Sequence, residues 1–121
     1  MARVLLAEDE KAVREFVRRA LVSRGHEVTT AADGGEALAA LGEGEYDLLL
    51  TDIVMPVMDG IALALKVAKD YPKLRVLMMT GYAAEKQRAH NLELLVHDVL
   101  AKPFTLEQIC AAVDAALAAP R

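Results

Sequence analysis

The chain has 121 residues, 55% of them hydrophobic and only 4% aromatic, with a net charge of −4 at pH 7. That length makes one domain, residues 1–121, burying roughly two thirds of its unfolded surface around an aliphatic core. Nothing approaches the ~20 apolar residues of a membrane span, the acidic balance argues against nucleic acid as the main partner, and the single cysteine excludes an internal disulfide.

Met1-Ala2-Arg3 shows no signal peptide, so the cytoplasm is the expected compartment. Arg3-Val4-Leu5-Leu6-Ala7 reads as an apolar strand ending on Glu8-Asp9-Glu10. The period then becomes helical, with Val13, Phe16, Val17, Ala20 and Leu21 on one stripe and Lys11, Arg14, Arg18, Arg19 and Arg24 outside it. Gly25 is placed as the residue just past the helix end. Glu27 to Ala31 is a second strand, rich in β-branched residues. Asp33 with Glu36 resembles a capping box opening a short helix through Leu38 and Leu41.

The run Asp47-Leu48-Leu49-Leu50-Thr51-Asp52 is a buried strand stopping on a carboxylate, with Pro56 four residues later. A helix starts at Asp59-Gly60, turns Ile61, Ala64, Leu65 and Ala68 inward, and stops at Tyr71-Pro72. Arg75 to Thr80 is a fourth strand. A weak helix is expected from Glu85 to about Glu93, and a fifth strand within Leu94 to Ala101. Lys102-Pro103-Phe104 ends that strand. The last helix buries Leu106, Ile109, Cys110, Val113 and Leu117. His26 and His90 are expected on the surface, His97 in a structural role and Cys110 in the core. Strands alternating with helices, and reading as runs rather than alternations, give a parallel α/β sheet covered on both faces.

Four of these five strands end on reactive side chains: Glu8 and Asp9, Asp52, Thr80, and Lys102. A parallel sheet lines those ends along one edge, where open α/β folds place their ligands. Two unit charges ~4 Å apart repel by about 4 kcal/mol at an effective dielectric of 20. Three carboxylates gathered there therefore require a cation, and hard oxygen donors on an open rim suit Mg²⁺. Taken singly, each residue reads as a cap, a turn residue or a surface charge; their coincidence at strand ends points to phosphate chemistry on Asp52, with Lys102 and Thr80 facing the phosphoryl group.

The chain resembles the response-regulator receiver domains of two-component signalling, the chemotaxis-regulator family, from Val4 to about Leu117. The likeness rests on Ala7-Glu8-Asp9, Thr51-Asp52-Ile53-Val54-Met55-Pro56, Met58-Asp59-Gly60, Met79-Thr80-Gly81 and Lys102-Pro103-Phe104. It implies the flavodoxin-like receiver fold, five parallel strands in the order 2-1-3-4-5 flanked by five helices. It implies that Asp52 takes a phosphoryl group from a phosphohistidine of a histidine kinase or phosphotransfer protein. Glu8, Asp9, Asp52 and the Val54 carbonyl would ligate Mg²⁺, Glu8 directly or through water. Lys102 and Thr80 would hold phosphoryl oxygens, the Gly81 amide would assist, and the Lys102–Pro103 bond would be cis. The implied chemistry is Mg²⁺-dependent self-phosphorylation and autodephosphorylation rather than ordinary enzymatic turnover. The basic face of the first helix is either simply solvated or, as the resemblance implies, the surface that docks the phosphodonor.

Two departures bear on output. The position three residues before the strand-end lysine, usually aromatic in this family, is Val99, so an aromatic switch coupled to Thr80 is absent; Tyr82, two residues past Thr80, is a candidate either to substitute for it or to tune access of water to the phosphate. Leu94-Leu95-Val96 stands where a small Gly-Ala turn is usual, and these residues with Val99 and Tyr82 are candidates for either an output surface or the core. Within the family, Leu48 to Asp52, Met55 to Ala64 and His97-Asp98-Val99 are most similar to stand-alone regulators that act as phosphorylation-controlled adaptors. Those prime ClpX of the ClpXP protease toward its substrates, are active when unphosphorylated, and have no output domain. The alternatives are a phosphate shuttle or sink in a relay, a receiver cut from a larger regulator, or an Asp-nucleophile phosphatase. The last is disfavoured by Val54, where such phosphatases of the haloacid-dehalogenase type carry a second aspartate.

Overall fold

The computed structural model describes residues 2–90 and 96–119. Five strands alternate with five helices: β1 (Arg3–Ala7), α1 (Lys11–Ser23), β2 (Glu27–Ala31), α2 (Gly34–Leu41), β3 (Leu48–Asp52), α3 (Gly60–Asp70), β4 (Arg75–Thr80), α4 (Ala83–His90), β5 (Asp98–Ala101) and α5 (Leu106–Ala118). The strands form one parallel sheet in the order β2-β1-β3-β4-β5. This is the doubly wound order expected of the flavodoxin-like receiver fold.

Two aliphatic cores cover the sheet. Leu5, Leu49, Val76 and Met78 face α2 and α3, meeting Ala37, Leu41, Leu63, Ala64 and Val67. Their strand neighbours Val4, Leu6, Leu48, Leu50, Leu77 and Met79 face α1 and α5, meeting Val17, Leu21, Ile109 and Val113. Successive strand residues thus serve opposite cores, which is why both parities must be apolar.

The helix ends follow local chemistry. Gly25 takes φ +89°, and the Gly25 and His26 amides donate to the Val22 and Leu21 carbonyls, closing α1 in a Schellman turn. Asp33 caps α2 by accepting from the Glu36 amide, but Glu36 reaches back to the Ala32 amide instead of that of Asp33. Thr105 and Gln108 form a complete capping box on α5.

Several expectations need correction. Phe16 is 42% exposed, because the buried arc of α1 centres on Val17, Ala20 and Leu21 and the ring instead tilts against Phe104. Leu65 is 50% exposed, since the buried arc of α3 centres on Gly60, Leu63, Ala64 and Val67 and leaves Leu65 opposite; Ala68 lies on its flank, half-buried. α4 begins at Ala83, earlier than Glu85. His26 is not a surface residue: its side chain is largely buried and its Nδ1 accepts from the Ala2 amide at 3.2 Å. Val96 and Val99 are core residues, whereas Tyr82 is 62% exposed. Leu94 and Leu95, the end expected for α4 near Glu93, and the His90 side chain lie outside the described residues.

Candidate functional site

The ends of β1, β3, β4 and β5 are level along one edge, because Asp52 pairs in register with Met79, and Thr80 with Ala101. Glu8 leaves β1 with its amide held by the Ala31 carbonyl at 3.0 Å. Its side chain is fully buried, with Oε2 accepting from the Glu10 amide at 2.9 Å. Arg14 of α1 donates to the Glu8 carbonyl at 2.7 Å, so the chain cannot swing away from the edge. Asp9 is exposed beside it.

Asp52 ends β3 and is nearly buried. Its Oδ1 accepts from the Ile53 amide at 2.7 Å and its Oδ2 from Lys102 Nζ at 2.8 Å. The same ammonium donates to Glu8 Oε1 at 2.6 Å. Carboxylate oxygens of Glu8, Asp9 and Asp52 all lie within 4.8 Å of one another. Thr80 is buried at the end of β4, but its hydroxyl accepts from the Tyr82 amide at 3.2 Å and bonds to none of the carboxylates among the described residues. Lys102 is fixed to that strand end by its amide, which donates to the Thr80 carbonyl at 2.9 Å, and its bond to Pro103 is cis.

Electrostatics follow from this crowding. Burial pushes the Glu8 carboxyl up to about 7, against the pull of the Lys102 and Glu10 hydrogen bonds and with the Asp52 charge adding to the rise. Burial would lower the Lys102 ammonium, yet its bonds to Asp52 and Glu8 win and its pKa is raised. Three carboxylates face one ammonium, which leaves an excess of negative charge with hard oxygen donors. That donor set fits Mg²⁺. The Val54 carbonyl accepts no hydrogen bond from the described residues, which leaves its lone pairs free.

Residues 4–114 match the response regulator receiver domain. The chain belongs to this family. This receiver domain is 40% identical over 119 residues to the response regulator receiver protein CpdR of Brucella abortus, covering 98% of this chain and 99% of that one. It is 44% identical over 115 residues to the sensor kinase CckA of the same organism, covering 93% of this chain but 12% of the kinase. Among solved structures it superposes on the response regulator TrrA of Thermotoga maritima, determined in complex with Mg²⁺ and BeF, with a TM-score of 0.85 and 29% identity, covering 94% of this chain and 97% of that one. Receiver domains act in two-component systems with kinases or phosphotransfer proteins, and acidic clusters like this one are typical of their Mg²⁺ sites.

Glu8, Asp9, Asp52 and Lys102 are brought together as the sequence anticipates; the Thr80 hydroxyl is near the edge but engaged elsewhere. The Lys102–Glu8 ion pair was not legible, since nothing in either segment says which carboxylate the lysine meets. Also unforeseen was the seating of the loop after Asp52 on the start of α2, although two consecutive glycines in a helix's first turn were a signal for it.

Proposed function

We propose that Asp52 of this receiver is phosphorylated in the cytoplasm from a phosphohistidine, and that the phosphoryl group controls binding of a protein partner. An Asp52 carboxylate oxygen attacks phosphorus, the phosphorus–nitrogen bond breaks, and its electron pair leaves with the donor imidazole, which takes up a proton. The product is an acyl phosphate. Glu8, Asp9, Asp52 and the Val54 carbonyl would hold Mg²⁺, which when bound supplies positive charge against the phosphoryl oxygens. Lys102, freed from Asp52 Oδ2, pairs with a phosphoryl oxygen. The Thr80 hydroxyl leaves the Tyr82 amide and donates to another. Adding about two negative charges at this edge then biases the segment beyond Thr80.

The observation that carries this reading is the convergence of Lys102 on Asp52 and Glu8 at the sheet edge. Docking of the donor onto α1 is supported by the exposed Lys11, Arg19 and Arg24, with Phe16 beside the apolar hollow formed by Ala12, Val13, Pro103 and Phe104. The likeness to CpdR across nearly both chains favours an adaptor for the ClpXP protease, competent when unphosphorylated. Capture of ClpX by wild type without beryllofluoride, its loss with beryllofluoride and Mg²⁺, and its persistence in Asp52→Ala under both conditions are the expected results. Capture in neither state would overturn the adaptor role. A phosphate shuttle or sink is the second reading, favoured by the 44% identity to a stretch of the sensor kinase CckA. It predicts transfer from a phosphohistidine protein to wild type but not Asp52→Asn, with no partner captured.

A further inference from the structure

β2 is the one strand whose end adds no reactive side chain to the edge, yet the helix that follows it touches the loop after Asp52. α2 opens on two consecutive glycines, Gly34 and Gly35, the residue type with the most backbone freedom to lose on folding. Neither glycine has a positive φ that would explain it. The reason is contact. A Cβ on Gly34 would overlap the Met58 carbonyl oxygen and come within 2.8 Å of the Met58 Cβ, and one on Gly35 would come within 3.1 Å of Val57 Cγ1. The platform beneath is stiff, because the Asp33 side chain holds the Glu36 amide at 2.8 Å and the Glu36 side chain holds the Ala32 amide at 2.9 Å.

The loop itself is clasped at its base, where the Gly60 amide donates to the Ile53 carbonyl at 2.7 Å. Ile53 in turn orients Asp52, since its amide donates to Oδ1. Val54 lies inside the same clasp. The height at which Met58 rests on Gly34 is therefore passed through a short closed loop to the Asp52 carboxylate and the Val54 carbonyl.

We infer that Gly34 is a positioning residue for the cation site: it lets the Asp52–Asp59 loop seat directly on the α2 N-terminus and thereby sets the Asp52 and Val54 oxygens. This rests on the reading of those oxygens as Mg²⁺ ligands. The test is calorimetric titration with Mg²⁺ alone, alongside urea unfolding. Gly34→Ala should bind Mg²⁺ roughly 10-fold more weakly, the lower range for groups that orient metal ligands. Gly42→Ala, at the other end of α2 where a Cβ meets nothing closer than 3.4 Å, should bind as wild type does. Gly35→Ala presses the same loop more gently, through the Val57 Cγ1 that its Cβ would approach to 3.1 Å, so it tests the seat if Gly34→Ala does not fold; it should weaken binding several-fold. Wild-type affinity in a folded Gly34→Ala, or in Gly35→Ala if the former fails to fold, would overturn the inference while leaving the site reading intact. Failure of wild type itself to bind Mg²⁺ would overturn both.

Discussion

The Lys102 ammonium lies 2.6 Å from a Glu8 carboxylate oxygen across 94 residues of chain, and closes the first and last strand ends over Asp52. In the metal-free protein this lysine is the counter-charge to two buried carboxylates. Lys102→Met leaves them facing each other, and breaking such a pair costs about 3 kcal/mol. Urea unfolding in a chelator should show that loss. Saturating Mg²⁺ should restore a larger share of stability to Lys102→Met than it adds to wild type; an equal increment in both would separate the lysine from the cation site.

Gly60 opens α3 against the carbonyl of Asp52, and a Cβ there would overlap that oxygen and lie 3.0 Å from the Ile53 Cα. Both neighbours are backbone and cannot step aside cheaply. Gly60→Ala should lose about 2–3 kcal/mol in urea unfolding, the upper range for overpacking.

Val57 sits at φ +71° with 85% of its surface in solvent. A left-handed conformation costs a β-branched residue about 1–2 kcal/mol, against about 0.5–1 kcal/mol for the extra chain entropy of glycine. Little burial is at stake. Val57→Gly should therefore raise the urea-derived stability by about 0.5–1 kcal/mol.

Cys110 is buried in the α1–α5 core with its thiol toward the Ala20 carbonyl, and burial pushes its pKa up, partly offset by Arg24 and reinforced by Asp114 and Glu107. A folded-state value above the unfolded one, about 8.5, gives a contribution present in full below that pH and lost as pH rises through the folded value. The urea midpoint of wild type should fall more steeply above about pH 8.5 than that of Cys110→Ala. Parallel slopes would show that the thiol does not ionise on unfolding.

Where a strand ran apolar to a polar stop, its limits were plain: Arg3–Ala7 and Arg75–Thr80 are the observed bounds, and the reactive ends came with them. Family likeness supplied the strand order, because runs such as Leu48-Leu49-Leu50 carry no information about neighbours. Helix faces were harder. Phe16 and Leu65 are as apolar as the residues that are buried, so only packing against Phe104 or the width of the α3 arc separates them. α4 gave a weak signal because, apart from Ala89, its described side chains are polar or exposed. The burial of His26 depends on a backbone amide 24 residues away, which no local pattern records.

β3 sends Leu49 to one side of the sheet and Leu48 and Leu50 to the other. Sliding it by a single residue would trade leucine for leucine, so oiliness alone cannot tell the right alignment from the neighbouring one. What forbids the slip is polar punctuation. Asp47 grips Arg3 twice, backbone amide to carbonyl and carboxylate to amide, each at 2.8 Å, while Asp52 is tethered to Lys102 at the opposite end. Asp52 is thus also a ruler mark, and severing the Asp47 clasp is the change that would let the strand lose count.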